Sequence, residues 1–278
     1  MFEQNGTSPA LIASLSKLLI VWNAVKEIEA DPDVRYTWDD LYTMGDEVTF
    51  EALGGTTQNA NSTVRGRCGG VNEYLVPGER ASLHSLLYGA FVVSGNDAAN
   101  ALVTAVNGSE RAYLERIRTS IKSAPFDLSD ATQIGRAYGR DCYSSALDVA
   151  KIVRVLMTDE TVSGVFRRVS EARSTKGSVE IVKAGGDIES VERDSTHPFI
   201  CGPYSERLKA LLGSDIGVYG KTGTWIEDYV LATIVERDGR SLLAVVLNTD
   251  SARKRDDTTL SLLAWGFRMR CKCSMIAD

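Results

Sequence analysis

Lys221-Thr222-Gly223-Thr224 closes a run, residues 216–224, that reads as a β-strand. Two more extended runs follow, at 229–236 and 241–248, with Asp238-Gly239 between them. Asp-Gly suits the positive φ of a tight hairpin turn, so the three runs predict an antiparallel sheet. An amphipathic helix over about 257–269 closes the chain. Ahead of the strand stand two other short motifs, Ser14-Leu15-Ser16-Lys17 and Ser94-Gly95-Asn96. In this order the three are a set of parts for acyl transfer through a serine ester. Serine is a weak nucleophile that needs a base and donors for the developing oxyanion.

Lysine three residues after serine supplies that base if both lie on a helix, where positions i and i+3 share a face. Leu15, Leu18, Leu19, Trp22, Val25 and Ile28 fall at three- and four-residue spacings and predict a helix over 14–30. Ser14 opens it, near unpaired N–H groups and the positive end of the dipole. Residues 31–78 read as irregular, with brief extended stretches such as 47–50. Helices are predicted at 81–93 and 98–106, interrupted by Ser94-Gly95-Asn96. That tripeptide reads equally as a helix cap at Gly95 followed by a capping Asn96, or as a functional turn. Further helices are predicted at 144–157 and 204–212. Residues 165–183 read as short β-strands, followed by a polar loop through His197.

The order of elements predicts an α/β (α+β) fold, an antiparallel sheet flanked by helices with an inserted, mostly helical lobe. We read 1–278 as one catalytic domain, with 31–160 as the helical lobe and 1–30 plus 161–278 as the sheet lobe. Motifs scattered over both lobes place the site in the cleft between them.

The chain has 278 residues, 44% of them hydrophobic, enough for a sizeable core. Its net charge of -6 argues against a nucleic-acid partner. The one basic cluster, Arg253-Lys254-Arg255, runs straight into Asp256-Asp257 and reads as a solvated loop. Cys68, Cys142, Cys201, Cys271 and Cys273 make no metal-ligand array, and their odd number argues against a fully paired disulfide framework. No metal or other cofactor is expected. No run of about 18 apolar residues is present, so no membrane association is encoded here. Residues 1–8 carry no basic stretch leading into an apolar run, so no export leader is read.

His84 and His197 are the only histidines, and no Gly-x-Ser-x-Gly elbow occurs. His84 reads as a helix-face residue and His197 as a loop residue, which leaves lysine as the general base. Ser-x-x-Lys alone arises by chance about once in a chain this long. Ser251-Ala252-Arg253-Lys254 also fits, and reads as a chance match in a charged loop. Lys-Thr-Gly is rarer, on the order of once in twenty such chains. Adjacent helix residues point about 100° apart, so Ser14 rather than Ser16 faces Lys17.

The roles divide accordingly. Ser14 attacks a carbonyl, and Lys17, kept neutral by burial and neighbouring positive charge, takes its proton. Ser94 relays a proton to the leaving amine, and Asn96 hydrogen-bonds the substrate amide and Lys17. Lys221 and Thr222 bind a substrate carboxylate, Gly223 admits the substrate backbone, and the N–H groups of Ser14 and Thr224 form the oxyanion hole.

With these residues the chain resembles the penicillin-recognising serine enzymes, the fold group of β-lactamases and transpeptidases. Within them it is similar to the low-molecular-mass penicillin-binding proteins that are D-alanyl-D-alanine carboxypeptidases. Leu86-Leu87-Tyr88 through Ser94-Gly95-Asn96-Asp97-Ala98-Ala99 resembles that family's central segment. Ser144-Ser145-Ala146-Leu147-Asp148-Val149-Ala150 resembles the helix that follows it, and Leu263-Ala264-Trp265-Gly266-Phe267 the closing helix. The resemblance implies an extracytoplasmic enzyme that removes the terminal D-alanine of peptidoglycan stem peptides through an acyl-serine. It also implies covalent inhibition by β-lactams. Two other readings compete. A serine β-lactamase shares the motifs, but Gly95 stands where many carry Asp and no Glu-x-x-Leu-Asn segment occurs. A non-catalytic peptidoglycan-binding protein is the other, prompted by how early Ser14 falls in the chain.

Overall fold

The computed structural model describes residues 2–29, 36–55, 63–68, 71–170 and 177–269. After a short strand β1 (Ala10–Leu11) the chain makes a 3-10 turn, Ala13–Ser16, and enters α1 (Lys17–Glu29). The predicted helix therefore starts one turn late. Ala13 has φ 45°, and the Leu15 amide donates to the Ile12 carbonyl at 3.0 Å, which tightens the turn ahead of the helix. Leu18, Leu19, Val21, Ala24 and Val25 are fully buried, and α1 packs against α2 (Leu83–Phe91), α3 (Asn96–Asn107), α5 (Ala146–Thr158) and α6 (Val162–Ser170). Most of the helix is buried accordingly, while Lys26 and Glu27 are half-buried and Glu29 is exposed.

The region read as irregular holds three short strands, β2 (Leu41–Thr43), β3 (Gly66–Cys68) and β4 (Val71–Glu73), and a fourth, β5 (Arg80–Ser82), takes the first two residues of the helix predicted from 81. Three residues each give no periodicity to detect. The Ser82 hydroxyl accepts from the Ser85 amide and caps α2, and Ser109 does the same for α4 (Glu110–Ser120), a helix absent from the sequence reading. Strands β6 (Gln133–Ile134) and β7 (Cys142–Ser144) join β1 in a sheet of order β1-β7-β6.

Two expectations are corrected after α5. Residues 165–183 are not all β: 162–170 form α6, where Val162, Val165, Phe166 and Val169 are buried at helical spacing. The valines suggested strands, but the i, i+3, i+4, i+7 pattern prevails over β-branched propensity. Beyond it, β8 (Gly177–Val182) and β9 (Ile188–Arg193) join β2 and β5 in the order β2-β5-β8-β9. This hairpin thus pairs with strands from residues 41–82, across the boundary drawn at about residue 160. Only long-range pairing decides that.

Helix α7 (Pro203–Leu212) leads to β10 (Gly217–Trp225), β11 (Asp228–Arg237) and β12 (Arg240–Thr249), antiparallel in that order. Asp238 and Gly239 have φ 49° and 71°, as a hairpin turn of this sequence requires. The closing helix α8 (Ala252–Arg268) begins five residues earlier than predicted. Ser251 caps it, its hydroxyl accepting from the Lys254 amide. The basic cluster is thus the first turn of a helix, not a loop, and Arg255 is buried beside Asp256. The mixed fold, antiparallel sheets flanked by helices, is the one expected, and β10, with its outer edge unpaired among the described residues, faces the turn that carries Ser14.

Candidate active site

Ser14 sits in the 3-10 turn at the base of α1, only 7% exposed. The turn is held from two sides. Gly223 of β10 passes so close that a Cβ there would lie 3.0 Å from the Ser14 amide nitrogen. On the other side the loop 135–141 brings Gly139 against the Ala13–Ser14 peptide. Ser16, the rival hydroxyl, turns away and donates to the Ala137 carbonyl at 3.4 Å.

Lys17 is buried at the centre. Its Nζ lies 2.7 Å from the Ser94 carbonyl oxygen, 2.7 Å from Asn96 Oδ1, 3.1 Å from Ser14 Oγ and 3.4 Å from Ser94 Oγ. The first two are pure acceptors and must receive N–H bonds. A neutral amine has two N–H groups and one lone pair, so with both hydrogens committed the lone pair is left for the Ser14 hydroxyl. Burial, then the neighbouring charge of Lys221, hold Lys17 well below the usual lysine range, against the opposing pull of Asp97.

Ser94 is held at φ 66°, a left-handed conformation uncommon for serine. Its hydroxyl lies between the two lysines, receiving a hydrogen bond of 2.9 Å from Lys221 Nζ. Lys221 also donates to its neighbour's carbonyl, Thr222 O, at 2.9 Å, and its ammonium stands 6.0 Å above the Phe91 ring. Burial, then the charge of Arg255, pull Lys221 down to about 7. The Thr222 and Thr196 hydroxyls pair at 2.9 Å. Thr224, one residue past Gly223, is exposed.

Ser14, Lys17, Ser94, Asn96 and Lys221 therefore form one hydrogen-bonded cluster, with Thr222, Gly223 and Thr224 along the strand beside it. The second Ser-x-x-Lys match stays apart: Ser251 caps α8 and Lys254 pairs with Asp250 at 3.0 Å. His84 is an exposed helix-face residue of α2. His197 lies in a loop, as read, but is buried behind β10, only 2% exposed. Its Nδ1 accepts from the Phe199 amide at 3.3 Å and its Nε2 lies 3.1 Å from Thr233 Oγ1. Burial, then Arg255 and Lys221, lower it to about 3, so it is neutral, has both nitrogens engaged and cannot serve Ser14 as base.

Arg255 is the residue most clearly missed. It was read as solvated, yet its charge reaches both Lys221 and His197 from the buried first turn of α8. The signal available was its place one turn into an amphipathic helix. Among the described residues no group of three or more His, Cys, Asp or Glu side chains could hold a metal ion. Cys68 and Cys142 form no disulfide, and Cys271 and Cys273 lie outside the described residues.

A buried serine–lysine pair at the foot of a helix, facing an open strand edge, has the parts that acyl transfer through a serine ester requires. The chain belongs to the D-alanyl-D-alanine carboxypeptidase family, which matches residues 1–184. It is 26% identical over 261 residues to the D-alanyl-D-alanine carboxypeptidase DacC of Escherichia coli, covering 92% of this chain and 55% of that one. To DacF of Bacillus subtilis, another D-alanyl-D-alanine carboxypeptidase, it is 24% identical over 200 residues, covering 72% and 46%. The chain thus spans about half the length of these relatives. Among solved structures, a mutant of the Streptomyces K15 DD-transpeptidase superposes with a TM-score of 0.73 at 20% identity, over 96% of this chain and 92% of that one. Penicillin binding protein 6B from Escherichia coli gives 0.69 at 23% identity, over 95% and 72%. At such identities the superpositions establish the fold.

Proposed function

We propose that this chain is a serine-type D-Ala-D-Ala carboxypeptidase that trims peptidoglycan stem peptides outside the cytoplasm and is acylated by β-lactams. The observation that carries the reading is the commitment of Lys17, through its two shortest contacts, to acceptors that have no proton to give. Ser14 Oγ attacks the carbonyl of the penultimate D-alanine as its proton passes to Lys17 Nζ. The N–H groups of Ser14 and Thr224 receive the oxyanion. On collapse the peptide C–N bond breaks, and Ser94 passes a proton from the lysine side to the leaving amine, so free D-alanine departs. Water then attacks the acyl-serine by the same route in reverse and releases the shortened peptide. Lys221 and Thr222 hold the terminal carboxylate, and the open edge of β10 pairs with the peptide backbone. Family membership and the carboxypeptidase names of the relatives support the same reaction.

The test is release of D-alanine from a peptide ending in D-Ala-D-Ala, followed against pH. Lys221 titrates near 7 in the free protein, so raising pH through that value removes the positive charge that meets the carboxylate. KM is expected to rise several-fold between pH 7 and pH 9, and a KM that stays flat or falls contradicts the role given to Lys221. No D-alanine release by the folded protein, at any pH in that range, overturns the proposed reaction.

A further inference from the structure

Asp97 takes no part in the chemistry above, yet it is a fully buried carboxylate next to Asn96. It makes no ion pair among the described residues. It accepts instead from backbone amides: Val64 N at 3.2 and 3.3 Å to its two oxygens, Leu75 N at 3.1 Å and Ala98 N at 2.9 Å. Val64 and Leu75 flank the β3–β4 hairpin, so one side chain ties both ends of that hairpin to the start of α3. The hairpin in turn bears on the second motif. A Cβ on Gly95 would lie 3.1 Å from Val64 Cγ2 and 2.9 Å from Asp97 Oδ1. Directly before Gly95 comes Ser94, in its left-handed conformation, which persists only when the surroundings over-determine it. Lys17 holds the Ser94 carbonyl from one side and Val64 blocks Gly95 on the other.

We propose that Asp97 is a positioning residue for the reaction: it clamps the β3–β4 hairpin onto the Ser94-Gly95-Asn96 turn and so keeps Ser94 and Asn96 at their working distances from Lys17. The mechanical effect acts through Val64 and Gly95, and a second, electrostatic effect acts on Lys17 directly. Lys17 from α1 and Tyr74 from the end of β4 are the titratable groups that face this carboxylate. Its charge opposes the lowering of Lys17 by burial and by Lys221, favouring the protonated amine. Burial pushes Asp97 itself up to about 6, so at pH 8 the clamp is ionised.

The two effects separate in a pair of variants, read by the rate of acylation with benzylpenicillin across pH. This readout rests on the acyl-serine reading of the site. Asp97→Asn keeps the shape but turns an N–H donor toward amides that need an acceptor. It is expected to lower the plateau rate at pH 8 roughly tenfold, the effect of leaving one buried amide unpaired. Removing the negative charge also lowers the pKa of Lys17, so the acid limb of the profile moves to lower pH. Val64→Ala loosens the same contact without touching the charge, and is expected to lower the plateau several-fold with the limb unmoved. Wild-type plateaus in both variants overturn the proposal, and Val64→Ala decides it alone if Asp97→Asn does not fold. Should the wild type form no adduct, the acyl-serine reading fails. The clamp is then judged by hydrogen exchange: faster exchange at Val64 or Leu75 in Asp97→Asn supports it, and wild-type protection at both overturns it.

Discussion

Lys17→Met is expected to slow acylation by benzylpenicillin roughly a thousandfold, within the range measured when a general base is removed. Methionine keeps an unbranched apolar side chain, one atom shorter than that of lysine, and suits the buried surroundings of α1. What it lacks is the lone pair facing Ser14 Oγ at 3.1 Å. It also lacks the two N–H bonds to the Ser94 carbonyl and Asn96, so the second motif loses its anchor at the same time. The measurement is the acylation rate constant of wild type and variant, with a thermal melt to show that the variant is folded. A folded Lys17→Met acylated within tenfold of wild type would transfer the role of base to another residue.

The second large effect arises at a residue with no chemistry of its own. Gly139 has φ 100°, and a Cβ there would lie 2.5 Å from the carbonyl carbon and oxygen of Ala13 and 2.8 Å from the Ser14 amide nitrogen. All three are backbone atoms and cannot rotate out of the way. Gly139→Ala must therefore push the 3-10 turn, and Ser14 with it, or displace the loop 135–141. Overpacking of this kind costs about 1–3 kcal/mol, to which the left-handed backbone adds. A nucleophile moved by about 1 Å loses on the order of a hundredfold in rate. Gly139→Ala is expected to show both losses, in the melt and in acylation. Wild-type acylation by this variant would mean that the loop does not hold the nucleophile.

That contrast marks what the sequence reveals and what it hides. Long segments announced themselves: the apolar spacing in α1, the extended runs of β10 to β12, and the Asp238-Gly239 turn between the last two. The motifs were legible because their chemistry needs particular residue types at fixed intervals, and the interval from Ser14 to Lys17 survives a change from α-helix to 3-10 turn. Short elements were not legible. β2 to β5 have three residues each, too few for a period, and the pairing of β5 with β8 is decided by packing across more than ninety residues of chain. In α6, valines misled the reading because intrinsic preference yields to the burial pattern.

Support for the site was hidden for a related reason. Nothing local distinguishes Arg255 within a run of charges, or His197 within a polar stretch. Their burial follows from α8 packing on β11 and β12 and from His197 lying against Thr233 of β11, a tertiary fact. Asp97 and Gly139 likewise gain meaning only from what lies across the fold, the hairpin for one and the Ser14 turn for the other. The clustered motif residues could be read from composition and spacing, whereas the residues packed around them could not.

The central claim is that Ser14 is the residue acylated. Intact-mass spectrometry of wild type and Ser14→Ala during incubation with benzylpenicillin tests it most directly. The account predicts a single penicilloyl adduct that persists on the wild type and is absent from folded Ser14→Ala. An adduct that forms equally on Ser14→Ala, or none at all on the folded wild type, would contradict it.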